Sequence, residues 1–75
     1  MKTSQEILNA FIKKIKDFMK ENNFNKQDFA NYVKVPTRTV SGWLTNHKMP
    51  RIDYLYQIAE SLNCTIDYLV CREDF

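Results

Sequence analysis

A short stretch in the middle of the sequence, residues 37–45, carries side chains suited to recognising the edges of DNA bases. Its hydroxyl groups can donate or accept hydrogen bonds, and its arginine can bond guanine O6 and N7 together. At about 100° per residue, Val40, Trp43 and Leu44 form one apolar side, with these groups opposite or beside it. The residues assigned to base reading are Thr37, Arg38, Ser41, Gly42 and Thr45.

The same stretch is a poor composition for an ordinary exposed helix. Gly, Ser and Thr have lower helix propensity than Ala, Glu or Lys. A helix entering the major groove, roughly 12 Å wide, benefits from small side chains because bulky ones would hold its backbone away. Trp43 is a candidate for base stacking, but its spacing with Val40 favours a place in the core.

Cationic and amide side chains on both flanks of this helix are candidates for contacts with DNA phosphates. Residues 25–27 begin the preceding helix, where backbone N–H groups and an ammonium group suit an anion. The loop from residue 46 to residue 51 adds further donors on the other flank. The residues assigned to phosphate contacts are Asn25, Lys26, Gln27, Asn46, Lys48 and Arg51.

Charge is distributed unevenly along the 75 residues, although the net charge is only +2. Residues 24–51 hold five Lys and Arg against one Asp, a net charge of +4. Residues 52–75 hold one Arg against five acidic residues, a net charge of −4. A basic middle indicates a polyanionic partner, with ordinary surface scatter as the alternative.

The residues that enzymes and metal sites need are scarce. One histidine, one glycine and no cluster of carboxylates leave no candidate catalytic, cofactor or small-molecule site. Cys64 and Cys71 lack the C-x-x-C spacing of a zinc site, and we interpret both as reduced thiols of a cytoplasmic protein. Asn9, Lys13 and Lys14 interrupt the first apolar stretch, which argues against a signal peptide or membrane span.

Apolar residues recur at helical spacing throughout, which predicts an all-α fold in a single domain, residues 1–75. The predicted helices cover about residues 4–21, 26–33, 37–45, 52–62 and 66–71, with Ser4, Asn25 and Thr65 as caps. The residues expected to point inward are Ile7, Leu8, Phe11, Ile12, Ile15, Phe18, Met19, Phe29, Ala30, Val33, Val40, Trp43, Leu44, Ile52, Leu55, Ile58, Ala59, Leu62, Ile66, Leu69 and Val70.

The stretch NKQDFANYVKVPTRTVSGWLTNHKMPRIDYLYQIAESLNCTIDYL, residues 25–69, resembles the helix-turn-helix domain of the phage repressor and Cro-type (XRE-like) family. The features that carry the resemblance are Phe29-Ala30, Val40, Pro50, Ile58-Ala59 with Leu62, and Ile66-Asp67-Tyr68-Leu69. The resemblance implies a five-helix lambda-repressor-like domain, with its helix-turn-helix unit over about residues 25–46. In such a unit the second helix enters the major groove.

The resemblance also implies roles for single residues. Lys26 stands where relatives usually have a phosphate-contacting glutamine, and Arg51 where some place an arginine near the DNA backbone or minor groove. Asn46 replaces the usual glycine after the reading helix and is expected to adopt the left-handed conformation. The positions that face bases in relatives are occupied by Thr37, Arg38, Ser41 and Gly42.

The sequence departs from the family pattern at three further positions. Lys34 replaces the usual glycine of the turn, which could cost roughly 1 kcal/mol or more. Pro36 replaces the usual Ser or Thr before the reading helix, and Leu44 replaces a common Glu. These changes affect which sequence is read more than they affect the fold.

The sequence therefore predicts a sequence-specific double-stranded DNA-binding protein, a repressor-like transcriptional regulator with no membrane or enzymatic role. It is expected to bind a palindromic operator as a homodimer, with half-sites about 34 Å apart. The predicted dimer contact uses the first helix, the fifth helix or the tail. Tyr54, Tyr56 and Tyr68 are expected at the edge of the core or in that contact. Val70 and Phe75 are expected to extend the contact. The alternative is a protein-interaction module, such as an antitoxin, that binds a partner through the acidic tail.

Overall fold

The computed structural model describes residues 3–70, and this part of the chain is all-α without a strand. Its helices are α1 (Ser4–Glu21), α2 (Lys26–Val33), α3 (Thr37–Asn46), α4 (Ile52–Leu62) and α5 (Ile66–Leu69). The predicted fold class is confirmed, and all five helices begin at the predicted residues.

A reciprocal cap fixes the start of α1. The Thr3 hydroxyl accepts from the Glu6 backbone N–H at 3.2 Å, and the Thr3 N–H donates to the Glu6 carboxylate at 3.1 Å. This capping box satisfies two N–H groups that a helix start otherwise leaves without partners. The prediction that Ser4 caps the helix is wrong, because Ser4 is already its first helical residue.

The residues that flank α4 and α5 determine where these two helices begin and end. Asn63 closes α4 in the left-handed conformation at φ 56°, so the helix ends at Leu62, as predicted. Thr65 then caps α5 by accepting from the Tyr68 N–H at 3.0 Å. The fifth helix ends at Leu69 with Val70 as its C-cap, earlier than the predicted end near Cys71, which lies outside the described residues.

One hydrophobic core joins all five helices. Trp43 is 3% exposed and meets Phe11 edge-on, with ring centroids 5.7 Å apart. Tyr54 packs against the other side of the indole at 5.8 Å, which makes it a core-edge residue. The prediction that Trp43 belongs to the core is confirmed. The largest fully buried side chains are Phe11, Ile15, Phe29, Val33, Val40, Ile58 and Leu69.

The prediction for Ile52 is wrong, because its side chain is 70% exposed. Ile52 shares a side of α4 with Ala59, but it lies in the first turn, and the buried residues of that helix are Ile58 and Ala59 in its second half. The first turn extends beyond the core. Some residues expected to point inward are only half-buried, namely Ile7, Phe18, Met19, Leu55, Leu62, Ile66 and Val70.

None of the helices within residues 3–70 is both long and apolar enough to cross a membrane. Over the same residues, no group of three His, Cys, Asp or Glu side chains is placed to hold a metal ion. Cys64 is half-buried against the core, between α4 and α5.

Candidate nucleic-acid interface

The α3 helix buries its apolar side and leaves its predicted reading side accessible. Val40, Trp43 and Leu44 are 0%, 3% and 8% exposed, which confirms their predicted place in the core. The predicted base-reading residues lie opposite or beside this apolar side. Thr37, Arg38 and Thr45 are exposed, and Ser41 and Gly42 are half-buried. The described chain therefore brings all five predicted base-reading residues to one open surface.

A tight turn at residues 34–36 sets the angle between α2 and α3. Lys34 closes α2 in the left-handed conformation, with φ 60° and ψ 44°. The next residue, Val35, is 5% exposed and donates its N–H to the Ala30 carbonyl at 2.9 Å. The buried side chain and the backbone hydrogen bond of Val35 thus anchor the turn directly after Lys34.

Gln57 of α4 holds the same turn from the other side. Its side-chain amide donates to the backbone carbonyls of Val33 at 2.9 Å and Lys34 at 2.6 Å. Both carbonyls lie at the end of α2, where a helix leaves acceptors without partners inside the helix. Gln57 therefore ties the orientation of the helix-turn-helix unit to α4.

Pro36 is the N-cap residue of α3, at the position just before the first turn that the sequence predicted. Its carbonyl accepts from the N–H groups of Thr39 and Val40 at 2.9 and 3.2 Å. No side chain caps this helix start. The N–H groups of Thr37 and Arg38 and the positive end of the helix dipole are therefore available to an acceptor such as a phosphate or a base edge.

The start of α2 is organised by a second capping box, as the sequence predicted. The Asn25 side-chain oxygen accepts from the Asp28 N–H at 2.8 Å, and the Asn25 N–H donates to the Asp28 carboxylate at 3.1 Å. A phosphate contact by Asn25 would therefore use its side-chain nitrogen. Lys26 and Gln27 follow in the first turn, and both are exposed.

A direct hydrogen bond links the predicted phosphate group to the predicted reading helix. The Lys26 ammonium donates to the Thr45 hydroxyl at 2.7 Å, across 19 positions of sequence. Thr45 lies in the last turn of α3, so this end of the helix is next to the start of α2. Thr45 therefore bonds the Lys26 ammonium as well as lying on the predicted reading side of α3.

The loop after α3 differs from the prediction in one detail. Asn46 is the last residue of the helix, and His47 adopts the left-handed conformation at φ 53°. The prediction of a left-handed Asn46 is wrong, because α3 continues one residue further than expected. The N–H groups of His47 and Lys48 both donate to the Gly42 carbonyl, the second at 3.1 Å, which folds the loop back onto the helix.

Three cationic side chains line a shallow groove between α3 and α4. Arg38, Lys48 and Arg51 surround a floor that includes Trp43 and Tyr54. Arg51 also contacts the Asp53 carboxylate at 3.5 Å, with both side chains well exposed. An exposed pair of this kind contributes little to stability, so Arg51 can exchange this carboxylate for a phosphate at little cost.

Sequence reasoning missed Gln57 as a structural support of the interface. No local pattern marks this residue, because a glutamine within an amphipathic helix is ordinary. Its partners lie 23 and 24 positions away, so its role follows only from the packing of α4 against the turn.

Comparison with known proteins agrees with this geometry. A family model described as helix-turn-helix matches residues 15–69, which include all of α2 to α5. Searches of curated proteins and of solved structures found no match. Because the matched region covers well over half of the chain and carries the turn and the exposed second helix, the protein belongs to the helix-turn-helix DNA-binding family of phage repressor and Cro (XRE-like) type.

Proposed function

We propose that this protein is a repressor-like transcriptional regulator that binds double-stranded DNA in a sequence-specific manner, with α3 in the major groove. The observation that carries the proposal is the contrast between the two sides of α3. One side is buried in the core, whereas the other presents an arginine, hydroxyl groups and a glycine at the surface. A helix with that surface can approach base edges closely and hydrogen-bond them.

The base-reading roles follow from the chemistry of each side chain. Arg38 pairs with guanine O6 and N7 through its two parallel donors. Thr37, Ser41 and Thr45 offer hydroxyl groups that bond donors or acceptors. Gly42 contributes no side chain of its own to this surface.

Phosphate contacts on the two flanks fix the register of the reading helix. At one flank, the start of α2 supplies backbone N–H groups near an ammonium and two amides, those of Lys26, Asn25 and Gln27. At the other flank, Asn46 and Arg51 lie at the ends of the loop between α3 and α4. The sequence assigned Lys48 to the same group, although its side chain lies over α3.

The protein acts as a homodimer on a palindromic operator. One copy presents one reading helix within a body 33 Å long, which matches a single half-site. A two-fold pair places two such helices about one helical turn, 34 Å, apart.

Selection from random DNA duplexes, followed by binding titrations, tests the proposal. A palindromic consensus is the expected result. Arg38→Ala should weaken binding to that consensus by about 1–3 kcal/mol and remove the preference at one base-pair position of each half-site. The free energy of binding to each single-base variant of the consensus is the quantity to measure.

Arg38→Lys provides the matched control, because it keeps the charge and loses the paired donors. It should retain the salt dependence of binding and still lose the base preference. Equal weakening on every duplex after either substitution contradicts a base-reading role for Arg38. A chain that shows no preference among duplexes but captures a protein partner would instead be an interaction module of the antitoxin kind.

A further inference from the structure

The side chain of Lys48 lies across the one position of α3 that has no side chain. An ideal Cβ built on Gly42 would sit 3.6 Å from Lys48 Cδ, the distance of ordinary van der Waals contact. The Lys48 backbone is tied to the same residue, since its N–H donates to the Gly42 carbonyl at 3.1 Å. The backbone of this lysine is therefore tied to the reading helix, and its stem lies beside Gly42.

Gly42 shares a side of α3 with Arg38, because residues four apart on a helix lie one above the other. Arg38, Gly42 and Lys48 also line the same groove. Lys48 Cδ lies beside the outer surface of α3 at Gly42, and the ammonium is two bonds further along the side chain, within reach of whatever that surface contacts. A side chain that contacts a phosphate does not need to lie over α3, because the phosphates lie at the edges of the DNA major groove.

We propose that Lys48 reads a base pair in the major groove, in place of the side chain that Gly42 lacks. The inference rests on the proposed function of α3 and adds a residue from outside that helix to the reading surface. The ammonium donates to guanine O6 or N7, the acceptors that lysine recognises in the major groove. Because Gly42 has no side chain, the lysine stem occupies this position of the reading surface instead.

The test compares substitutions of three lysines on the same operator. Lys48→Ala is measured beside Lys26→Ala, the proposed phosphate contact, and Lys16→Ala, an exposed charge on α1 with no assigned role. Each variant is titrated by fluorescence anisotropy against the selected operator and its single-base variants. Thermal melting of each variant establishes that the fold is retained.

Lys48→Ala should reduce the preference at one base-pair position of each half-site by about 5- to 150-fold and leave the other preferences intact. Lys26→Ala should weaken binding to all duplexes by the same factor, and Lys16→Ala should match the unsubstituted protein. The inference is overturned if Lys48→Ala weakens all duplexes uniformly, as a phosphate contact would, or leaves every affinity unchanged. Failure of the unsubstituted protein to prefer any duplex overturns the proposed function itself, a result distinct from both.

Discussion

At the scale of single residues, the backbone of the described chain adopts the left-handed conformation at four non-glycine positions. Three of them are Asn23, His47 and Asn63, residue types that tolerate this conformation better than most. The fourth is Lys34, a residue type that is not enriched in the left-handed conformation. The turn of the helix-turn-helix unit therefore carries strain that the usual glycine avoids.

Lys34→Gly should stabilise the protein, because glycine adopts φ near 60° without a steric penalty. Greater freedom of glycine in the unfolded chain offsets part of the gain. We expect a net increase of about 0.5–1 kcal/mol in the free energy of unfolding. For a domain of this size, that raises the melting temperature by about 2–8 °C. Thermal denaturation followed by circular dichroism measures the change.

Lys34→Ala is the control for this substitution. It removes the same charge and side chain but keeps a Cβ at the left-handed position, so it should melt close to the unsubstituted protein. Identical melting temperatures for the two variants would mean that the turn stores no strain at Lys34.

At the scale of the secondary-structure elements, the sequence predicts the helices well because their caps and spacing are local. The α2 helix has the predicted bounds because Asn25 and Asp28 stand three residues apart, as a capping box requires. The same signal was present for α1 in Thr3 and Glu6, but the adjacent Ser4 is also a common cap. Only Thr3 has an acidic residue, Glu6, three positions later, and this pairing distinguishes the two candidate caps.

The reading surface divides into a predictable and an unpredictable part. The exposure of Arg38 follows from its angle to Val40 and Trp43, and angles around a helix depend on sequence spacing alone. The positions of Lys48 over Gly42 and of the Gln57 amide do not follow from spacing. They depend on how a loop and a distant helix pack, which no local pattern encodes.

The Gln57 amide offers a test of how α4 supports the turn. Gln57→Met keeps the length of the side chain but removes the donor from the carbonyls of Val33 and Lys34, one of them partly buried. Leaving such acceptors unsatisfied costs about 1–3 kcal/mol of stability. Urea denaturation should show this decrease in the free energy of unfolding.

Gln5→Met is the matched control, since the Gln5 amide also donates to an oxygen, that of Asn9 at 2.9 Å, but on the exposed surface of α1. Its cost should stay within about 0.5 kcal/mol, as is usual for surface substitutions. If Gln57→Met were as mild as this control, the two hydrogen bonds to the turn would not stabilise the unit.

At the scale of the whole molecule, charge and size together determine how the protein meets DNA. The basic residues of the middle segment surround α3, while the acidic residues accumulate toward the end of the chain. Arg38, Lys48 and Arg51 line the groove beside α3 and attract the phosphates of a duplex toward that helix. The described part of one copy is at most 33 Å long, about one helical turn of DNA, and in the homodimer proposed above each copy reads one half-site.

Salt dependence measures both the phosphate contacts and the number of copies bound. Each neutralised phosphate contributes about −0.9 to the slope of log affinity against log salt concentration. Removing the Lys26 ammonium with Lys26→Ala should therefore reduce the magnitude of that slope by about 0.9 on a duplex with one half-site. On the full palindrome, where two copies bind, the reduction should be about 1.8.

Anisotropy titrations over a series of KCl concentrations, on the single half-site and on the palindrome, provide both slopes. Lys16→Ala should leave each slope unchanged, because that charge lies on α1 and has no assigned contact. Equal reductions on the two duplexes would show that only one copy binds the palindrome. An unchanged slope for Lys26→Ala on both would remove this lysine from the phosphate-contacting group and leave its hydrogen bond to Thr45 as its role.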